Sequence, residues 1–167
     1  MSCESIRLQK SIGSIRIDKT FEIKSSPVQI EEKATLIIEF IVAETSNFPL
    51  ILSEARFHDM LNLVWDMICN SANHGNENIE SKLVVVKISL GENGYFFSIS
   101  DEGYFYSRPE VKIMIESRMP IEPDWNDGKE HGGLGMKMLR DFPDEVLVDT
   151  AENTLCFCFR KERDTAC

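Results

Sequence analysis

Cations are scarce in this 167-residue chain: 18 Lys and Arg stand against 28 Asp and Glu, a formal net charge of -10. A surface that acidic repels a phosphate backbone, which argues against direct nucleic-acid binding. Histidine is scarcer still. His58, His74 and His131 are the whole supply, and no two of them share helical spacing, so a zinc site lacks its usual ligands. Long apolar runs are missing too, since none approaches the ~20 residues that cross a bilayer. Met1-Ser2-Cys3-Glu4 opens without the basic and then apolar pattern of a leader. The expectation is a cytoplasmic protein with no membrane partner. The five cysteines form an odd set without CxxC spacing, which excludes a disulfide framework. Cys69 falls in a helical pattern, Cys3 and Cys167 near the ends, and Cys156 and Cys158 are assigned to opposite faces of a strand. Reduced structural thiols follow.

What is present is core material. Hydrophobic residues make up 43% of the chain, enough for a single domain over 1–167. Ser5 to Lys24 alternates apolar and polar residues around Gly13-Ser14, which predicts two or three short strands, with 1–19 as an N-terminal extension. Ser26-Pro27-Val28-Gln29 reads as a helix start, with Ser26 as cap and Pro27 in the first turn. Ile30, Ala34, Ile37 and Ile41 then mark one buried stripe running to about Ala43. A second helix runs from Ser53 to about Asn73 with Phe57, Met60, Leu61, Val64 and Ile68 as its apolar face. Asp59, Asn62, Asp66, Asn70 and Asn73 fall opposite.

Leu83–Leu90 and Tyr95–Ser100 form a hairpin with Asn93-Gly94 as its turn chemistry. A long irregular stretch, 104–131, holds a short helix near Glu110–Ser117; loops of that length in small domains are usually functional or disordered. Gly132-Gly133-Leu134-Gly135 opens a third helical pattern. Glu145–Thr150 and Leu155–Phe159 close the chain as an antiparallel pair. Helices gathered on one face of a mainly antiparallel sheet, an α+β two-layer sandwich, is the economical architecture.

Three clusters carry candidate chemistry. Asp66 and Asn70, four apart on a helix, project side by side. A carboxylate beside an amide oxygen suits a base next to a magnesium ligand, although any amphipathic helix needs polar residues on its outer face. Asp101-Glu102-Gly103 ends an apolar strand, where a carboxylate can accept from an exocyclic amine and a glycine lets a flat ring approach. Asp and Gly are also ordinary turn residues. The Gly132–Gly135 run exposes backbone amides at a helix start, a phosphate-binding arrangement that is neither a Walker loop nor a Rossmann fingerprint.

Taken in order, DMICNSANHG (Asp66–Gly75), SISDEG (Ser98–Gly103) and GGLGMKML (Gly132–Leu139) resemble the N, G1 and G2 boxes of the GHKL ATPase superfamily. Within it, the chain looks most like the bacterial anti-sigma-factor serine/threonine kinases. The resemblance spans roughly Thr20 to Lys161. It implies a Bergerat-type α/β sandwich that binds ATP or ADP with Mg2+. Asn70 would then ligate magnesium and Asp66 would serve as general base. Asn73 would belong to the nucleotide site. Asp101 would bond the adenine amine over Gly103, and Gly132, Gly133, Leu134 and Gly135 would hold phosphates. Residues 104–131 would form the ATP lid, and Thr154 would support the adenine pocket. The implied partners are an antagonist protein that is phosphorylated, a sigma factor that is sequestered, and a second copy in a homodimer, as related kinases form. Two departures stand out. Asp66 replaces the family's Glu, one methylene longer, and Phe105 takes the place of a second glycine. The alternative function is therefore a catalytically weak, ATP-dependent protein-binding switch.

Overall fold

The two predicted apolar stripes each become a buried helix face. In the computed structural model, which describes residues 2–46, 52–116 and 134–161, α2 covers Pro27–Thr45. It buries Ile30, Ala34, Ile37 and Ile41, and Ser26 Oγ accepts from the Gln29 amide. The next helix, α3 (Glu54–Asn70), buries Phe57, Met60, Val64 and Ile68 as expected, but also Leu63 and Met67. The stripe is wider than expected because α3 packs against α2 and α5 (Leu134–Asp141) as well as the sheet. Leu61 is only half-buried.

After Asn70 the helix does not simply stop. Ser71–Gly75 is a π-helical turn, closed by the Asn76 amide donating to the Ser71 carbonyl at 2.8 Å. Such turns widen a helix end and recur at functional sites.

The sheet has five strands in the order β1 (Ile15–Lys24), β2 (Leu83–Gly91), β3 (Gly94–Asp101), β5 (Thr154–Arg160) and β4 (Glu145–Asp149). Every neighbouring pair is antiparallel. Its inner face contributes Val84, Val86, Ile88, Tyr95, Phe97, Ile99, Leu155, Phe157 and Phe159 to the core under α2 and α3. The molecule is thus an α+β sandwich of helices on an antiparallel sheet. The short helix in the irregular stretch is α4 (Pro109–Glu116).

Four expectations need correction. Residues 5–10 do not form the expected strand: Cys3–Lys10 is helix α1, capped by Ser2, whose side chain accepts from the Ser5 amide. Over so short a segment the alternation of Ile6 and Leu8 is also compatible with a helix. Burial decides: Leu8 and Ile12, four apart, pack against Phe96, Cys156 and Cys158. This places α1 on the outer face of the sheet, so the helices do not all share one face. Cys156 and Cys158 lie together in that outer cluster, because residues two apart in a strand share a face.

The β2–β3 turn departs from Asn-Gly chemistry as well. Its two-residue loop is Glu92-Asn93 between paired Gly91 and Gly94, with positive φ at neither loop residue. The turn is held instead by tertiary bonds, the Asn93 amide to Ile12 O at 2.8 Å and the Glu92 amide to Ser14 O at 3.1 Å. Gly91 and Gly94 permit close approach, since a Cβ on either would overlap the Ile12 or Phe159 carbonyl.

Candidate functional site

The site is assembled around the C-terminal end of α3. Asp66 and Asn70 are half-buried there, one helical turn apart and turned toward the start of α5. A Cβ at Gly135 would lie 3.0 Å from Asn70 Nδ2, 3.0 Å from Met67 Cε and 3.5 Å from Asp66 Oδ2. The missing side chain lets α5 press closely on the acid–amide pair, where a methyl group would meet Asn70 and Met67 in tight contact. Leu134 opens α5 beside it. Gly132 and Gly133 lie outside the described residues, as does the lid from 117 to 131.

The second pole is Asp101, the last residue of β3, 7% exposed. Its Oδ1 accepts from the Gly103 amide at 2.9 Å and from Asn153 Nδ2 at 2.6 Å. Its Oδ2 is buried without a hydrogen-bond partner among the described residues, an acceptor that a ligand donor would satisfy. Gly75 abuts this carboxylate and Gly103 abuts the Gly75 carbonyl, each so closely that a Cβ would overlap its neighbour. The end of the π turn, Asp101 and Gly103 are therefore one packed unit. Asn70 stands five residues before Gly75, roughly 7 Å along the helix axis, which puts the acid–amide pair and the carboxylate at two ends of one short path.

Burial tunes both acids the same way. Desolvation raises the Asp101 carboxyl above its ordinary value, opposed by the hydrogen bonds from Gly103 and Asn153 and by the charge of Lys82. Desolvation alone raises Asp66, and no described side chain hydrogen-bonds or ion-pairs with it. A half-buried carboxylate with a raised pKa is chemically suited to accept a proton. Burial also pushes the Cys69 thiol up to about 11, with the Asp66 and Glu31 charges adding to it, so Cys69 is protonated and inert beside this pair.

Among the described residues, no group of three or more His, Cys, Asp and Glu could hold a metal. A magnesium site here would fit only as an accompaniment to a polyanion: magnesium keeps several waters and takes one or two protein oxygens plus phosphates, and Asn70 offers one such oxygen.

The remaining expected residues separate. Asn73 is exposed on the π turn. Thr154 is buried at the head of β5, but its hydroxyl donates to Glu152 O at 2.9 Å, and the direct partner of Asp101 is its neighbour Asn153. Sequence reasoning missed Asn153, although its place in the Glu152-Asn153 turn marked it. It also missed the clasp after Gly103. Tyr106 is fully buried with its hydroxyl 2.9 Å from Ser71 Oγ. Phe105 stacks on His74 at 6.0 Å between ring centroids. The sequence matches no family model and no curated protein.

Proposed function

We propose that the protein is an ATP-binding serine/threonine protein kinase of the anti-sigma-factor type, which phosphorylates a small antagonist protein and sequesters a sigma factor. One observation carries this reading. Three motifs far apart in the chain converge on one helix end, with Gly135 against Asp66 and Asn70, and an unpartnered buried oxygen of Asp101 packed beside Gly75 and Gly103. The antiparallel sheet with α2 and α3 on its inner face supports a Bergerat-type fold.

In this reading Asp101 Oδ2 accepts the exocyclic amine of the adenine base. Gly103 and Gly75 keep that end free of side chains, and Gly135 lets the start of α5 approach the phosphates, where helix amides favour anions. Asn70 would hold magnesium, which when bound neutralises charge on the phosphates of ATP or ADP. Asp66 removes the proton from the accepting hydroxyl of the antagonist, and its raised pKa suits that role. A second reading, an ATP-dependent protein-binding switch with little turnover, is favoured by the shorter reach of Asp66.

The test is calorimetry with ADP and ATP, with and without magnesium, followed by single-turnover transfer from labelled ATP to proteins that co-purify with the chain. Micromolar to millimolar binding with transfer supports the kinase. Binding with background transfer supports the switch. Absence of binding sinks both.

A further inference from the structure

We propose that Asn153 is the positioning residue of the base-binding carboxylate: it fixes Asp101 so that one oxygen alone faces the ligand, and it ties that carboxylate to the segment leading into α4. The inference deepens the nucleotide reading and rests on it.

Asn153 sits in the β4–β5 turn with φ of 46°, a left-handed backbone that asparagine tolerates better than most residues. Its amide works in both directions. Nδ2 donates to Asp101 Oδ1 at 2.6 Å and to the Asp101 carbonyl at 2.9 Å. Oδ1 accepts from the Ser107 amide at 2.8 Å. With the Gly103 amide also on Oδ1, that oxygen is fully engaged, and Oδ2 is left as the buried atom without a described partner. Thr154 does none of this, because its hydroxyl is used within its own turn. One side chain thus joins the end of β3, the β4–β5 turn and the chain entering α4 at Pro109. Asparagine supplies what the place demands: a donor, an acceptor and tolerance of positive φ. Aspartate keeps the shape and the acceptor but loses the donor. Glycine keeps the backbone and loses both.

The test compares ADP affinity of wild type, Asn153→Asp and Asn153→Gly at about pH 6 and pH 8, on either side of neutrality. In Asn153→Asp two carboxylates meet where a donor and an acceptor met. Sharing one proton, they imitate the native bond, whereas fully ionised they repel. Other groups bearing on the pair are the Lys82 charge, which reaches Asp101, the Asp149 and Glu152 carboxylates of the same turn, of which Asp149 accepts from the Ala151 and Glu152 amides, and the Tyr106 hydroxyl, which senses Asp101 and stays protonated through this range because burial raises its pKa.

The expected result is near-wild-type affinity of Asn153→Asp at pH 6 and a loss of roughly tenfold to a hundredfold at pH 8, the worth of a hydrogen bond to a charged group. Each variant is read against wild type at the same pH, because the terminal phosphate of ADP itself titrates across this interval, and Asn153→Gly is weakened at both. Weakening of Asn153→Asp that is equal at both pH values marks a merely structural residue and overturns the proposal. So does wild-type affinity in both variants. Wild type that binds no ADP removes the nucleotide reading itself, a failure distinct from the other two.

Discussion

The glycine that seats α5 against Asn70 can be tested with a single methyl group. In Gly135→Ala the added carbon starts 3.0 Å from Met67 Cε and 3.0 Å from Asn70 Nδ2, against ordinary contact from 3.4 Å. Met67 Cε is the far end of a flexible side chain and turns away at little cost. The Asn70 amide has to retreat by about 0.4 Å, the difference between those two distances. Against this stands a gain, since alanine is favoured over glycine in a helix interior by about 0.5–1 kcal/mol. Gly135, the second residue of α5, collects part of it, and its φ lies outside the left-handed range. The two contributions nearly cancel, so the unfolding free energy should change by less than about 1 kcal/mol.

Nucleotide binding should respond differently. Magnesium demands near-ideal octahedral geometry at about 2.0–2.1 Å, so a displacement of several tenths of an ångström at Asn70 is large. The expected outcome is that the gain in ADP affinity on adding magnesium shrinks by roughly fivefold to tenfold, about 1–1.4 kcal/mol. Affinity without magnesium stays within about twofold. Calorimetry with and without magnesium, beside urea denaturation of both proteins, reads the two effects separately. An unchanged magnesium gain in a stably folded variant would refute the assignment of Asn70. A loss of about 3 kcal/mol or more in stability would make Gly135 a packing requirement alone.

Gly103→Ala sets the new carbon against the Gly75 carbonyl, with backbone on both sides, so urea denaturation should show a loss near or above the upper end of the roughly 1–3 kcal/mol typical of overpacking. Near-wild-type stability there would contradict the packed unit. Tyr106→Phe leaves Ser71 Oγ without its partner and should cost about 1 kcal/mol, most of which returns when Ser71→Ala is added; strictly additive losses would deny the coupling. Asp66→Asn should leave ADP affinity within about threefold while cutting transfer by roughly 10²–10⁴. Burial holds the folded pKa of Asp66 above its unfolded value, so ionisation removes stability as pH rises through that interval. At neutral pH Asp66→Asn should therefore be at least as stable as wild type, the difference closing below about pH 4; a variant less stable at pH 7 than at pH 4, relative to wild type, would reverse the argument.

Where local periodicity and tertiary burial agree, the elements could be read in advance. The stripe of Ile30, Ala34, Ile37 and Ile41 is buried in full, and the hairpin strands lie within a residue of their expected ends. Where two periods overlap, as in Ser5–Lys10, the pattern could not choose, and only the outer pocket formed by Phe96, Cys156 and Cys158 selects a helix. The Glu92-Asn93 turn was unreadable for the converse reason, because its geometry is set by Ile12 and Ser14 rather than by its own residues. At the site, Asp66, Asn70, Asp101, Gly103 and Gly135 could be named because helix spacing and strand ends are local properties. Asn153 was legible only as a turn residue, since its bond to Asp101 spans 52 residues.

Phe105 ties the site to the segment that follows it. A glycine there would leave the chain free to pivot directly after Gly103. Instead Phe105 stacks on His74 and meets Tyr106 edge-on at 5.2 Å, Tyr106 bonds Ser71, and Ser107 bonds Asn153. Three consecutive residues are thus anchored to the π turn and to the β4–β5 turn. On the proposed nucleotide reading, a lid would have to hinge beyond Ser107. On that reading, base binding at Asp101 and closure of a lid would then use separate residues, so substitutions at Tyr106 should alter base affinity while those beyond Ser107 should not.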